Sequence, residues 1–160
     1  MFTNPEDQAI TILTDMQLDI QQREFAIHYL AEHHTPAGIQ ALVAALQYKE
    51  FALRWIASTA LAQLGPLALP EVLKALTNPK LNTAPLRESV VHILHYSSNL
   101  AQEPVYRHQH LEPRVEIKPG ISVSVNELLT ALKGPAADIK SMKAANKLLL
   151  ELENYSTDKP

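Results

Sequence analysis

The hydrophobic pattern of residues 53–65 predicts a buried helix. In "LRWIASTALAQLG", apolar residues recur every three or four positions, and a glycine ends the run. Trp55, the only tryptophan of the chain, lies outside this apolar stripe. The pattern therefore predicts a helix that buries one side and leaves its tryptophan on another. The apolar positions are Leu53, Ile56, Ala57, Ala60, Leu61 and Leu64.

The same pattern returns about every thirty residues. An arginine is followed by an apolar residue three positions later and by leucine seven positions later, and the three arginines are 31 and 33 positions apart. A fourth segment keeps the two apolar positions without the arginine. The four sets are Arg23, Ala26 and Leu30; Arg54, Ala57 and Leu61; Arg87, Val90 and Leu94; and Ser141, Ala144 and Leu148. This spacing predicts a repeated structural unit.

A second amphipathic helix precedes each of these segments. Its inward-facing pairs are predicted at Ile12 and Met16, Leu42 and Leu46, Val72 and Leu76, and Leu128 and Leu132. Thr35-Pro36 has the composition of a helix start, and Gly65-Pro66 separates two helices. One such pair cannot bury its apolar stripe alone, but stacked pairs can.

We therefore predict an all-α fold, an α-solenoid of about four helix-pair repeats in a single domain. The repeats span residues 6–34, 35–65, 66–99 and 124–155, with an irregular insertion at 100–123 and a disordered tail at 156–160. An ordinary helical bundle is the alternative. It does not explain the thirty-residue register.

The segment "LRWIASTALAQLG", followed by "LALPEVLKALT", resembles HEAT repeats, and specifically the short repeats of phycobilisome-lyase-like proteins. The resemblance covers nearly the whole chain except residues 100–123. It implies a solenoid whose second helices line a concave face. For some relatives it also implies an accessory or chaperone-like role in handling a tetrapyrrole or its carrier protein.

The stripe opposite the buried one is predicted to face this concave surface. Its equivalent positions are Glu24, His28 and Ala31; Trp55, Thr59 and Ala62; and Glu88, His92 and His95. Tryptophan in the middle of a groove is the residue type expected of a binding hot spot. The alternative is that Trp55 lies flat against its neighbours, or under the insertion, as part of the core.

The insertion contains a second candidate binding cluster. Its members are Tyr106, Arg107, His108, His110 and Arg114, which could hold an anion or an acidic side chain of a partner. A short hairpin of "VEI" and "ISVSV" is one prediction for its end, although proline disfavours it. The alternative is a solvated loop that covers an edge of the solenoid.

The histidines also raise the question of a metal site. Glu24 with His28, and Glu88 with His92, have the i, i+4 spacing that lets two side chains share an ion, but a stable zinc site needs three or four ligands. The two pairs lie on the first and third units, too far apart to combine. We predict no metal and no cofactor. A site completed by His95 and the insertion histidines is an alternative.

The arginines that begin the second helices are predicted to be structural. Asp19 with Arg23, and Glu50 with Arg54, are acid–base pairs at i, i+4 in the favourable order.

Composition narrows the function. The chain has 160 residues, a net charge of −3, no cysteine and no apolar run long enough to span a membrane, so we expect a cytoplasmic protein without affinity for membranes. The acidic groove candidates would repel phosphates, which argues against nucleic acid. No nucleophile motif or phosphate loop points to an enzyme. We predict a non-catalytic interaction or scaffold module that binds another protein on its concave face, with a possible homodimer.

Overall fold

The computed structural model describes residues 4–102 and 119–157, and every regular element among them is helical. A short 3₁₀ turn at Gly65–Leu67 separates the fourth and fifth helices. The predicted all-α class is therefore confirmed for this part of the chain. The helices are α1 (Pro5–Thr14), α2 (Ile20–His33), α3 (Pro36–Ala45), α4 (Phe51–Leu64), α5 (Leu69–Thr77), α6 (Ala84–Gln102), α7 (Pro119–Lys133) and α8 (Ala137–Thr157).

The ends of these helices follow local sequence signals. The Thr35 hydroxyl accepts a hydrogen bond from the backbone N–H of Gly38 at 3.1 Å, and Pro36 occupies the first helical position of α3. Gly65 ends α4 with a φ of +56°, a conformation that favours glycine. The predicted boundaries at Thr35-Pro36 and at Gly65 are thus confirmed.

The predicted apolar stripe of α4 forms part of the core. Leu53, Ala57 and Leu61 are fully buried, and Ile56 and Leu64 pack against the core while partly exposed. The corresponding residues of α2 and α6 are buried as well. The three-residue and four-residue spacing therefore identified the inward faces of the second helices correctly.

The predicted register of α1 is wrong. Ile12 and Met16 are 36% and 56% exposed, and the buried residues of this helix are Ala9 and Leu13. Met16 falls in the turn after α1, which ends at Thr14, and Ile12 lies beside the inward stripe, which runs through Ala9 and Leu13.

The first three helix pairs lie side by side. Helix α2 packs against α4, and α4 packs against α6, while α3 contacts both α1 and α5. The last pair is placed differently, because α7 contacts α6 and α8 packs along α5. Helix α8 therefore does not continue the row formed by α2, α4 and α6.

A buried polar contact holds α8 in this position. The side-chain amide of Asn82 donates to the carbonyl oxygen of Leu76 at 2.8 Å and to the hydroxyl of Ser141 at 3.0 Å. Asn82 and Ser141 are both buried, so this pairing satisfies polar groups that would otherwise be costly to remove from water.

The insertion is shorter than the sequence suggested. Helix α6 extends to Gln102 and α7 begins at Pro119, where the missing N–H of proline costs no helical hydrogen bond. Residues 121–125 lie in α7, so the prediction of a strand there is wrong. Residues 156–157 belong to α8. Residues 103–118 and 158–160, and with them Tyr106, Arg107, His108, His110 and Arg114, lie outside the described residues.

Arg23 connects the first two helix pairs from a buried position. It is 1% exposed, its Nε donates to the carbonyl oxygen of Leu13 at 3.0 Å, and one Nη donates to a carboxylate oxygen of Glu50 at 3.0 Å. Its guanidinium lies 5.0 Å from the ring centroid of Tyr48. The end of α1 and the start of α4 are thus held by one side chain.

The other two arginines close the turns that precede their own helices. Arg54 donates to the carbonyl oxygens of Tyr48 at 2.8 Å and Lys49 at 2.9 Å. Arg87 donates to the carbonyl oxygen of Asn82 at 3.0 Å and to its side-chain oxygen at 2.7 Å. These contacts agree with the structural role that the sequence predicted for the arginines.

The predicted partners of these arginines are wrong in two cases. Asp19 caps α2 by accepting from the backbone N–H of Gln22 at 2.8 Å, and does not pair with Arg23. Glu50 pairs with Arg23 rather than with Arg54. The side chain of Asp19 is used to cap α2, and the buried guanidinium of Arg23 takes the carboxylate of Glu50 on the next helix pair.

No single helix of the described ranges has both the length and the apolar composition to cross a bilayer. Residues Phe51–Leu67 and Leu69–Thr77 satisfy those two criteria only when they are taken together, and they are bent by 111° at their junction.

Replacing Arg23 with alanine should destabilise the fold by about 3 kcal/mol, because it removes a buried cation and leaves buried acceptors unpaired. Arg54→Ala is the matched control and should cost about 1 kcal/mol, since Arg54 is only half-buried. Urea unfolding monitored by circular dichroism measures both values. Equal losses of unfolding free energy in the two variants would contradict the special role of Arg23.

Candidate functional site

Trp55 joins α4 to α6 and still faces solvent. Its ring packs on that of His92 with centroids 4.2 Å apart, and the planes are inclined by 31°. The hydroxyl oxygen of Thr59 lies 3.3 Å from Nε2 of the same histidine. Trp55 is nevertheless 50% exposed. One face of the indole is therefore held by a neighbour, and the rest is open to a ligand.

Two further rings extend this contact into a row. Phe51 lies one helical turn before Trp55 with ring centroids 6.1 Å apart, and Tyr96 lies one turn after His92 at 6.2 Å. Phe51 is 64% exposed. We call Phe51, Trp55, His92 and Tyr96 the aromatic row. The sequence analysis did not include Phe51 and Tyr96, although their i, i+4 spacing from the two candidates was a usable signal.

A small cleft of about 160 Å³ opens beside Trp55, between α4 and α6. Glu88 supplies the only carboxylate among its lining residues, and it is exposed. Among the described residues Glu88 has no hydrogen-bond or ion-pair partner. The cleft is lined by Phe51, Arg54, Trp55, Ser58, Glu88, Ser89 and His92. It therefore combines aromatic surface with one carboxylate, that of Glu88, and one guanidinium, that of Arg54.

The first-unit candidates lie on α2, the neighbour of α4. Nε2 of His28 is 3.6 Å from a carboxylate oxygen of Glu24, and both side chains are largely exposed. His95, on α6, is exposed as well. Glu24 and His28 therefore form a surface pair within one helix.

Ala62 does not belong to the open face. It is 1% exposed, because α6 packs over it and the hydroxyl of Ser97 donates to its carbonyl oxygen at 3.2 Å. The predicted stripe on α4 is thus exposed at Trp55 and buried at Ala62, towards the end of the helix.

The described residues contain no group of three or more histidine, aspartate or glutamate side chains placed to hold a metal ion. The alternative metal site that uses His108 and His110 depends on residues outside the described ranges.

The position of His92 changes its protonation. Burial lowers the pKa of this imidazole below its ordinary value of 6.5, and a positive charge on nearby His95 lowers it further. His92 is therefore neutral at pH 7. A neutral ring can stack on the indole without bringing a charge into the half-buried contact.

We predict that the emission of Trp55 reports this titration. An imidazolium next to an indole quenches its fluorescence, so emission should fall as His92 takes up a proton, with a midpoint below pH 6.5. The unfolded chain binds this proton first, at the ordinary pKa. The contribution of His92 to the unfolding free energy should therefore decrease as the pH falls below 6.5, and level off below the depressed pKa.

Fluorescence titration of three proteins measures this effect. The wild type should show the transition, His92→Gln should lack it, and His95→Gln should move the midpoint to higher pH because a neighbouring charge is removed. Persistence of the transition in His92→Gln, or a wild-type midpoint above 6.5, would contradict the assignment.

No family model matches the sequence, and comparisons with curated proteins and with solved structures gave no match. What the site can do is therefore argued from its own residues.

Proposed function

We propose that the chain is a HEAT-like α-solenoid module that binds another protein on the face formed by α2, α4 and α6. The row of the first three helix pairs supports this arrangement, as do the equivalent turn-closing contacts of Arg54 and Arg87. Helices set side by side present an extended surface, which is the usual binding surface of stacked helix pairs.

The observation that carries this proposal is the half-exposed Trp55 next to the more exposed Phe51. Contact with His92 limits the orientations of the indole, so a partner that covers it loses little conformational entropy. Covering roughly 100 Å² of each ring would contribute about 3 kcal/mol per ring before the costs of association. Rings of this size can act as anchors, while the surrounding contacts supply the rest of the binding free energy.

Two other predictions for this surface are compatible with the proposal. A role in handling a tetrapyrrole or its carrier protein, which the resemblance to phycobilisome-lyase-like proteins implies, stays a prediction. A homodimer also stays a prediction. Phe25, 76% exposed on α2, is an apolar residue that a second copy could cover.

Replacing Trp55 with alanine should weaken partner binding by at least tenfold, the loss typical of a tryptophan hot spot. The measurement is quantitative capture of proteins from native cells on the immobilised chain, followed by affinity measurement with the purified partner. Leu67→Ala is the matched control, because Leu67 is 60% exposed but lies in the turn after α4.

The result that supports the proposal is a protein held by the wild type and by Leu67→Ala and lost by Trp55→Ala. Circular dichroism must show that all three proteins are equally helical. If the wild type and both variants capture the same proteins in the same amounts, the proposed binding face around Trp55 is wrong.

A further inference from the structure

We propose that the outer side of α2, around Phe25, is a second docking surface and takes a basic amphipathic helix of another protein. This surface is separate from the cleft beside Trp55, so the inference goes beyond the proposed function. Two features of the first helix pair support it: an apolar position that is covered in the later pairs and open here, and a concentration of negative charge.

The open position is seen by comparing the first three second helices. The residue two positions after the arginine is Phe25 on α2, Ile56 on α4 and Ser89 on α6. Ser89 is buried and lines the cleft between α4 and α6, so this position faces the preceding second helix. Ile56 is partly buried on α4, which packs against α2. Phe25 is 76% exposed. The side of α2 that corresponds to the covered side of α6 is therefore open at Phe25.

The first pair also exposes other apolar side chains. The end pairs of stacked helical repeats usually have a polar outer side. Here the first pair contains four of the ten large hydrophobic residues that are exposed among the described residues, and Phe25 is the most exposed of the ten. The four are Ile12, Met16, Ile20 and Phe25. Apolar surface of this kind marks an interaction site when it is contiguous and rimmed by polar groups.

The charge at this end of the row is strongly negative. Residues 4–50 contain seven acidic residues and two basic ones, whereas residues 51–102 contain two acidic residues and four basic ones. Of the two basic residues at the first end, Arg23 is buried and paired with Glu50. Only Lys49 is exposed. The first end therefore has an excess of carboxylates that its own lysine and arginine do not balance.

One of these carboxylates belongs to the same side of α2 as Phe25. Glu32 is exposed and follows Phe25 by seven positions, which is close to two turns of helix. A helix that covers Phe25 and runs along α2 would therefore also pass Glu32. Such a helix needs an apolar stripe for the ring and a positive side chain for the carboxylate.

Charge also separates the candidate occupants. A two-fold dimer pairs a surface with itself, so two copies joined through this end would bring two negatively charged ends together. A neutral helix would remove water from Glu32 without giving the carboxylate a partner. A helix with lysine or arginine beside its apolar stripe avoids both costs. It would lie about 8–10 Å from α2, as neighbouring helices do.

Two synthetic peptides test this chemistry by isothermal titration calorimetry with the whole chain. One is acetyl-Lys-Leu-Ala-Lys-Leu-Leu-Ala-Lys-Leu-Ala-Lys-amide, and the other has glutamate in place of every lysine. The titrations are done at pH 7.5, above the ordinary pKa of imidazole of about 6.5. The basic peptide should bind, and the acidic peptide should bind at least about tenfold more weakly. Raising the salt concentration should weaken the basic peptide.

Substitutions locate the binding. Phe25→Ser should weaken the basic peptide by about tenfold, because it removes a large apolar contact. Its matched control is Ile139→Ser, which removes an exposed apolar side chain of α8 and should leave the affinity unchanged. Glu32→Gln should weaken the peptide by about threefold, as expected for an exposed ion pair. Its control is Asp138→Asn, which removes an exposed charge from α8. Circular dichroism checks that all four variants remain helical.

Equal affinities for the two peptides, no binding of the basic peptide, or an unchanged affinity in Phe25→Ser or Glu32→Gln would overturn the inference. Light scattering tests the second copy. The wild type should be monomeric, and a dimer that Phe25→Ser converts to a monomer would show that another copy occupies this end. None of these readouts uses Trp55, so their failure leaves the proposed function intact. Failure of the capture experiment with Trp55→Ala likewise leaves this inference intact.

Discussion

The arrangement of this chain depends on how a guanidinium is held at the start of each of the first three second helices. Arg54 and Arg87 bind carbonyl oxygens of the turn before their own helix, whereas the buried Arg23 binds the carbonyl oxygen of Leu13 at the end of α1 and also Glu50 on the next pair. These contacts fix where each second helix begins relative to the first helix of its pair. Positions that are equally far along the chain from Arg54 and from Arg87 then lie next to each other on α4 and α6. Trp55 and Glu88, each one residue after its arginine, therefore line the same cleft.

The same contacts determine the chemistry of the open face. An arginine that closes a turn gives part of its guanidinium to backbone carbonyl oxygens, and Arg54 and Arg87 stay half-buried near the exposed Glu88. The aromatic row then adds apolar surface whose orientation is limited by stacking between α4 and α6. Structural support and the open face are therefore linked, because Arg54 both closes the turn before α4 and lines the cleft beside Trp55.

The sequence predicted the parts of the fold that depend on spacing within a helix. The buried stripes of α2, α4 and α6 followed from a helical period, and the ends at Thr35 and Gly65 from local hydrogen bonding and backbone conformation. Spacing does not say which helix a buried stripe will face, so the position of α8 beside α5 was not foreseen. The pairing of Glu50 with Arg23 was missed for the same reason, since it joins residues 27 positions apart.

The place of α8 also has a consequence for the order of folding. The contact between Thr59 and His92 joins residues 33 positions apart, whereas that between Asn82 and Ser141 joins residues 59 apart. The entropic cost of closing a loop rises with the logarithm of its length, so the shorter closures are favoured first. During synthesis the first three helix pairs can pack together before α8 has left the ribosome. The side of α5 that α8 covers stays exposed to solvent until then.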